Sequence, residues 1–389
     1  VLKLRFKRWT SLCVTGLALF SGAVFAETII PSPPQLAASS YILMDATTGH
    51  ILVTQNADER LPPASLTKLM TSYIAEREVI EGRIALDDET LISVNAWQTG
   101  GSRMFIQEGR FVSIEDLLRG IIIQSGNDAS VAMAEHIAGS EPMFAQMMNS
   151  WAERLGMENT QFQNATGLPA EDHYSSAADM AIMSRHIIED NAEFYPIYAE
   201  RSFTFNGISQ ANRNSLLGRN PAVDGLKTGL TSEAGYGLVA SALQDDMRLI
   251  SVVMGTASEE SRVQETQKLL TYGFRYFQTA KLHDGGSSLY SGRVWGGRTE
   301  AIELGLEEDL MLTIARGDEA SMNTVLNIDP VLKAPIEPGQ QLGELVVSDG
   351  GEEVARRPLL ALQAVEPAGF FARIWDNILL FFFNLFNGS

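Results

Sequence analysis

The spacing of apolar residues changes character several times along the chain, and each change marks a different kind of element. Ser113-Ile114-Glu115-Asp116 opens the apolar run from Ile114 to Ile123, and a serine N-cap with acidic residues in the first turn predicts a helix start. Ser125-Gly126-Asn127 breaks that run. Gly126 frees the backbone to turn, and Asn127-Asp128 are placed to cap a second helix through Val131, Met133, Ala134 and Ile137. Two apolar runs, Tyr236 to Ala242 and Arg248 to Met254, flank the turn Gln244-Asp245-Asp246 and predict strands of an antiparallel sheet. A helix-spaced stretch through Gln267, Leu269, Leu270, Tyr272, Phe274 and Phe277 then closes a first, mixed domain, expected over residues 27–280.

From Leu282 to Val365 the pattern becomes short runs cut by Gly, Pro and Asp: Ala301 to Leu306, Leu310 to Ala315, Thr324 to Ile328, Leu342 to Val347 and Pro358 to Leu362. These predict a small all-β domain over residues 281–366. The last stretch, residues 367–389, is different again. Phe370, Phe371, Ile374, Trp375, Ile378, Phe381 and Phe382 are among its apolar residues, while Arg373, Asp376, Asn377, Asn384 and Asn387 fall on one helical stripe broken only by Leu380. A spanning helix wants about 20 nearly uncharged residues, and Arg373 and Asp376 would each cost roughly 2.5–3.5 kcal/mol at its centre. An amphipathic helix lying in a membrane surface is therefore expected here, with a terminal helix packed on its own core as the plainer reading.

At the other end, Lys3, Arg5, Lys7 and Arg8 precede an apolar run from Leu12 to Phe20 and a small-residue site, Val24-Phe25-Ala26. This pattern predicts a secretory signal peptide over residues 1–26 and hence an exported protein. The one cysteine, Cys13, falls inside it. Net charge is −19 for the whole chain and about −23 without those residues, which excludes nucleic acid as a natural partner. The remaining length, about 360 residues, exceeds one comfortable core.

Three short elements carry the candidate chemistry. Ser65-Leu66-Thr67-Lys68 follows Pro62-Pro63, and residues at i and i+3 of a helix share one face, so the hydroxyl and the amine would stand side by side. Lys68 could then act as base if burial and a second cation strip its proton, and Leu66, Leu69 and Met70 argue for burial. Taken alone, such a tetrad is an ordinary solvated helix turn. Ser125-Gly126-Asn127 is either a capped break between helices or a second wall, in which Ser125 relays a proton and the Asn127 amide binds a peptide carbonyl. Lys227-Thr228-Gly229 reads as strand, and its glycine would let a peptide approach the strand edge. Lys227 could also supply the second positive charge near Lys68.

In this order the three elements are the signature of penicillin-binding proteins and serine β-lactamases. The chain resembles the low-molecular-mass penicillin-binding proteins that are serine-type D-alanyl-D-alanine carboxypeptidases, over nearly everything after the first 30 or so residues. Tyr41-Ile42-Leu43-Met44-Asp45, Asn164-Ala165-Thr166-Gly167-Leu168, the stretch Tyr174 to Ala181 and Asn212-Arg213-Asn214 also resemble family segments. The resemblance implies an α+β fold: a mixed helix and antiparallel-sheet penicillin-binding domain, the all-β domain and the amphipathic helix. It implies Ser65 as acylated nucleophile, Lys68 as base, Ser125 as catalytic partner, and Asn127, Lys227, Thr228, Gly229, Arg213 and Arg262 as substrate-binding residues. The implied substrate is the D-Ala-D-Ala end of peptidoglycan stem peptides, with β-lactams as covalent inhibitors and no cofactor. The expected location is the periplasmic face of the inner membrane, held by the terminal helix. In one respect the chain departs from the resemblance: many relatives carry histidine after the Lys-Thr-Gly triplet, and here that residue is Leu230.

Other chemistries find no footing. The chain has no Gly-x-Ser-x-Gly elbow, no His-Glu-x-x-His pair and no phosphate loop, and none of His50, His136, His173, His186 or His283 lies in a recognisable motif. A serine β-lactamase or transpeptidase, or an inactive peptidoglycan-binding scaffold, remain the competing readings; no Glu-x-x-Leu-Asn element stands near Asn164 to Leu168 to favour a class A β-lactamase.

Overall fold

The computed structural model describes residues 30–387, so the predicted signal peptide and Cys13 lie outside it. The first domain is built on five antiparallel strands, β1 (Ser40–Asp45), β2 (Ile51–Gln55), β3 (Val223–Thr231), β4 (Gly235–Gln244) and β5 (Met247–Thr256), in the order β2-β1-β5-β4-β3. Successive side chains point to opposite faces. Ile42 and Met44 therefore enter one core together with Ile250 and Val252, while Tyr41 and Leu43 enter the other with Leu249 and Val253. Both faces are covered, which is why Arg248 to Met254 reads as a continuous apolar run instead of an alternating one.

One face carries the helices α1 (Lys68–Ile80), α2 (Ile114–Ile122), α3 (Asn127–Ala138), α4 (Glu141–Arg154) and α5 (Ala177–Asp190). The other carries α6 (Glu259–Tyr276) through Val263, Leu269, Leu270 and Phe274. Ser113 caps α2 as its sequence predicts, its side chain accepting from the Asp116 N–H. The cap expected at Asn127-Asp128 is not made. Gly126 occupies the N-cap position without a side-chain bond; Asn127 turns toward Lys68 and Gly100, and Asp128, while taking the Ala129 N–H of the first turn at 2.9 Å, is directed mainly onto the backbone N–H groups of Met104, Phe105 and Ile106. Residues that can cap a helix are drawn away when buried donors nearby have no other acceptor.

The helix read through Phe277 ends at Tyr276. Phe277 opens β6 (Phe277–His283), whose first pairing partner is Ala315, because tertiary pairing overrides a side chain that fits either period. The second domain continues with β7 (Tyr290–Trp295), β8 (Ala301–Gly305), β9 (Leu310–Ala315), β10 (Met322–Ile328), β11 (Leu332–Lys333), β12 (Gln341–Asp349) and β13 (Glu352–Ala361). Strands β6 and β9 pair with each other, and the other six form a sheet in the order β10-β12-β13-β8-β7-β11. Leu304, Leu345, Val347 and Leu359 are fully buried at its centre. The buried Asp45 carboxylate joins the two domains, accepting hydroxyl hydrogen bonds from Thr279 at 2.6 Å and Thr313 at 2.7 Å.

The chain ends in α7 (Phe370–Asn387). Its polar side faces the β domain: Asp376 accepts from the Gly296 N–H at 2.8 Å and pairs with Arg293 at 3.3 Å, and Phe383 lies 5.7 Å from Trp295 between ring centres. Phe371, Ile374, Trp375, Ile378, Phe382 and Leu385 are left exposed along the opposite side. The side chains of Asn384 and Asn387 are outside those described. Among the described residues no helix is long and apolar enough to cross a membrane.

Candidate active site

Ser65 sits in a 3-10 turn, Ala64–Thr67, that runs directly into α1 at Lys68, so serine and lysine are not on one α-helix as the tetrad alone suggested. A 3-10 turn has three residues per turn and eclipses i with i+3. The pair is brought into register all the same, with Lys68 Nζ 3.1 Å from Ser65 Oγ. Gly167 packs across this turn so closely that a Cβ there would stand 1.8 Å from the Ala64 carbonyl oxygen, and its φ of +80° favours glycine as well.

Lys68 is fully buried and has two further partners, Asn127 Oδ1 at 2.7 Å and the Thr166 carbonyl oxygen at 2.5 Å. The Asn127 amide cannot turn round without losing its own bond from Nδ2 to the Gly100 carbonyl, so Oδ1 is held toward the lysine. Both partners are acceptors only. A neutral amine has two N–H donors and one lone pair; donating to Asn127 and Thr166 leaves the lone pair directed at Ser65. Burial lowers the Lys68 pKa from 10.5 to about 7, against the pull of Asp128 and Glu141 in the other direction. Desolvation is the leading cause at Lys68, and the repulsion between Lys68 and Lys227 disfavours charging both amines together.

The second wall is Ser125, which has a φ of +60° and a buried Oγ without a hydrogen-bond partner. A buried hydroxyl left open toward a cleft is available to a reacting group. The third wall is β3, the edge strand of the sheet. Gly229 lies against the serine turn, where a Cβ would come 3.0 Å from the Pro63 carbonyl oxygen. Lys227 is buried behind it, donating to the Thr228 carbonyl at 3.2 Å, and its pKa is pushed well down by burial and then by Lys68, Arg262 and Arg213. A carboxylate placed beside it would supply the missing counter-charge and favour the protonated form.

These walls enclose a cleft of about 470 Å³ whose lining includes Ser65, Ser125, Arg213, Thr228, Gly229 and Arg262. Lys68, Asn127 and Lys227 stand behind that lining. Arg262 is held by the carbonyls of Gly229 and Arg213, at 3.4 and 3.5 Å, and its guanidinium lies 5.6 Å from the Tyr236 ring centre. Ser102, Gln210, Ser215 and Tyr236 also line the cleft and carried no sequence signal. A larger groove of about 1270 Å³ lies between residues 31–34 and α6, on the opposite face of the sheet; its lysine, Lys268, is paired with Glu265 at 2.9 Å. Among the described residues no group of three or more His, Cys, Asp and Glu is gathered to hold a metal.

Two buried groups near the site have structural partners. His173 Nδ1 accepts from the Gln163 N–H, so Nε2–H donates to Thr67 Oγ1 at 2.8 Å, and burial with the nearby Lys68 charge lowers its pKa to about 4. Glu76, in the same helix as Lys68, accepts from Tyr198 Oη at 2.8 Å and Asn191 Nδ2 at 2.7 Å, and burial raises its pKa to about 8.

Comparison with known proteins agrees with this geometry. Residues 27–258 match the D-alanyl-D-alanine carboxypeptidase family model, and residues 277–367 match the C-terminal domain of penicillin-binding protein 5. The chain is 43% identical to D-alanyl-D-alanine carboxypeptidase DacC of Escherichia coli over 95% of this chain and 94% of that one. Penicillin-binding protein 5 from Haemophilus influenzae has a similar structure, with a TM-score of 0.82 at 43% identity over 86% of this chain and 99% of that one. Penicillin-binding protein D2 from Listeria monocytogenes, in its ampicillin-bound form, aligns with 61% of this chain and 98% of its own at a TM-score of 0.57 and 30% identity. A serine cleft between a helical wall and an edge strand, followed by a β domain, thus places this chain in the D-alanyl-D-alanine carboxypeptidase family of penicillin-binding serine hydrolases.

Proposed function

We propose that Ser65 is the nucleophile of this carboxypeptidase and that Lys68 is its base. The observation that supports this most is the pair of acceptor-only partners, Asn127 Oδ1 and Thr166 O, which aim the amine lone pair at the serine. Ser65 Oγ attacks the carbonyl of the terminal D-Ala-D-Ala bond while its proton passes to Lys68. The proton then moves through Ser125 to the leaving nitrogen as the C–N bond breaks, and D-alanine departs. Water attacks the resulting ester, Ser65 recovers its proton, and the shortened stem peptide leaves. Lys227, Thr228, Arg213 and Arg262 hold the terminal carboxylate by charge and hydrogen bonds. A β-lactam presents a strained amide to the same serine.

The proposed location is the outer face of a cytoplasmic membrane. The exposed row Phe371, Ile374, Trp375, Ile378 and Phe382 lies in the interface while Asp376 and Arg373 stay on the side of the β domain. Each such apolar side chain contributes roughly 1.5–3 kcal/mol on full burial.

Incubating the protein with diacetyl-L-lysyl-D-alanyl-D-alanine and with a fluorescent penicillin separates the alternatives. Release of D-alanine with a long-lived label supports the carboxypeptidase; rapid repeated β-lactam turnover indicates a β-lactamase; neither indicates a scaffold.

A further inference from the structure

The serine turn separates two cavities of opposite charge. On the Ser65 side, the cleft is lined by Arg213 and Arg262 beside Thr228, and Glu259, paired with Arg262 at 3.6 Å, offsets only one of the two cations. On the Ala64 side lies a small hollow lined by Pro62, Pro63 and Ala64, by Leu168 and Pro169, and by Thr231 and Glu233. Glu233 is the one formally charged residue there, because the His173 that also lines the hollow is held neutral by its two hydrogen bonds. It is exposed and makes no hydrogen bond or ion pair among the described residues. The turn that carries it is fixed, since Thr231 Oγ1 accepts from the Ala234 N–H at 3.0 Å.

Resting on the carboxypeptidase reading above, we propose that this hollow is a substrate subsite and that Glu233 binds an ammonium group on the side chain preceding the acylated residue. Chain direction carries the argument. The departing residue puts its carboxylate at the Arg213 and Arg262 end, and the reacting carbonyl lies at Ser65. The rest of the peptide must then extend the other way, past the half-exposed Leu230 toward Thr231 and Glu233. A peptide pairing antiparallel with the free edge of β3 moves upstream as β3 moves downstream, so the residue before the acylated one comes opposite the end of that strand. Leu168, 39% exposed, and Pro169 offer apolar surface to the stem of a long side chain, and Glu233 stands where its charged tip would emerge. The site as a whole then reads a peptide that is negative at its end and positive on the side chain of a diamino acid upstream.

The test uses the full chain and two peptides, Nα-acetyl-L-lysyl-D-alanyl-D-alanine with a free ε-amine and its Nα,Nε-diacetyl analogue, with kcat/KM read from D-alanine release. The unaltered enzyme should prefer the free amine by about two- to five-fold at low salt, the range of a solvent-screened ion pair, and the preference should shrink as salt is added. Glu233→Gln should bring the ratio of the two rates to about one, and Glu233→Lys should invert it. A folding defect lowers both rates and leaves the ratio alone, so the ratio isolates the contact. A preference that survives unchanged in Glu233→Gln, or no preference in the unaltered enzyme, overturns the subsite while leaving the carboxypeptidase intact. Failure to release D-alanine from either peptide overturns the carboxypeptidase reading itself.

Discussion

The two domains treat their polar residues in opposite ways. In the first, Lys68, Glu76, Asn127, Asp128, Lys227 and Arg262 are all buried, and of the buried polar or charged side chains among the described residues none lies beyond Thr266. In the second, the core is apolar throughout, and charged pairs such as Arg356 with Glu344 and Glu353 stay at the surface. Burying an ionisable group opposes folding unless partners satisfy it, so such groups gather where they perform chemistry. Stability in the β domain comes from Leu304, Leu345, Val347 and Leu359 without that conflict. The first domain is thus built to react and the second to hold its place.

The contrast can be attacked first at its centre. Ser65→Ala should lower D-alanine release by about 10³-fold or more and abolish covalent penicillin labelling, with the far-UV spectrum unchanged. Label retained by the alanine variant would move the nucleophile elsewhere. Lys68→Arg is next, with an expected loss of about 10²–10⁴ in acylation rate, because a guanidinium keeps its proton at any accessible pH. Stopped-flow acylation close to the parent rate would show that charge alone suffices.

Protonation sharpens the comparison further. With its pKa lowered to about 7, Lys68 is the free base above that pH and the ammonium below it. Acylation should therefore level off on the alkaline side and fall about tenfold per pH unit below about 7. A profile flat through that range in single-turnover measurements would exclude Lys68 as the base. Glu76 gives a stability effect of its own. Its folded pKa, about 8, lies above the ordinary 4.5, so its contribution is fully present below 4.5 and is lost as pH rises toward 8. Glu76→Gln should make the urea midpoint less dependent on pH across that window, and parallel curves for parent and variant would refute it.

The smallest effect on turnover is expected at the opposite end of the molecule. Truncation before Ala368 should leave kcat/KM unchanged and abolish sedimentation with liposomes. Asp placed at Phe371, Ile378 and Phe382 should do the same by charging the apolar row. Undiminished co-sedimentation of the truncated chain would assign that helix to a protein partner instead.

Much of the proposed reactive apparatus was visible in one dimension because Ser65, Lys68, Ser125 and Lys227 belong to three short side-chain motifs in a fixed order, which the fold brings around one cleft. The Thr166 carbonyl that completes the lysine's environment was not, since a backbone acceptor leaves no residue signature. Asn127 was left between a helix cap and the second wall for a related reason: an asparagine at a helix start suits either role, and the Lys68 amine and Gly100 carbonyl that take up its amide are remote in sequence. Ser102 and Ser215 reach the cleft from loops, and Gln210 from the short strand Ile208–Ala211, which only the fold brings together. The β domain was legible as a set of runs, yet β7 escaped notice, its glycine and arginine interrupting any apolar pattern.

The crowding around Lys68 bears on how long an inhibitor stays. Its Nζ faces Ser65, Asn127 and Thr166, so protein atoms fill the corner behind the serine and leave that route closed to solvent. In the proposed reaction, the water that frees Ser65 must enter by the open side of the cleft, along the path of the departing amine. Free D-alanine diffuses away and clears this path. The nitrogen released from a β-lactam remains tied to the acyl group by the opened ring and keeps standing in it. A peptide is therefore passed on, while a ring-strained amide shuts out the water that would release it.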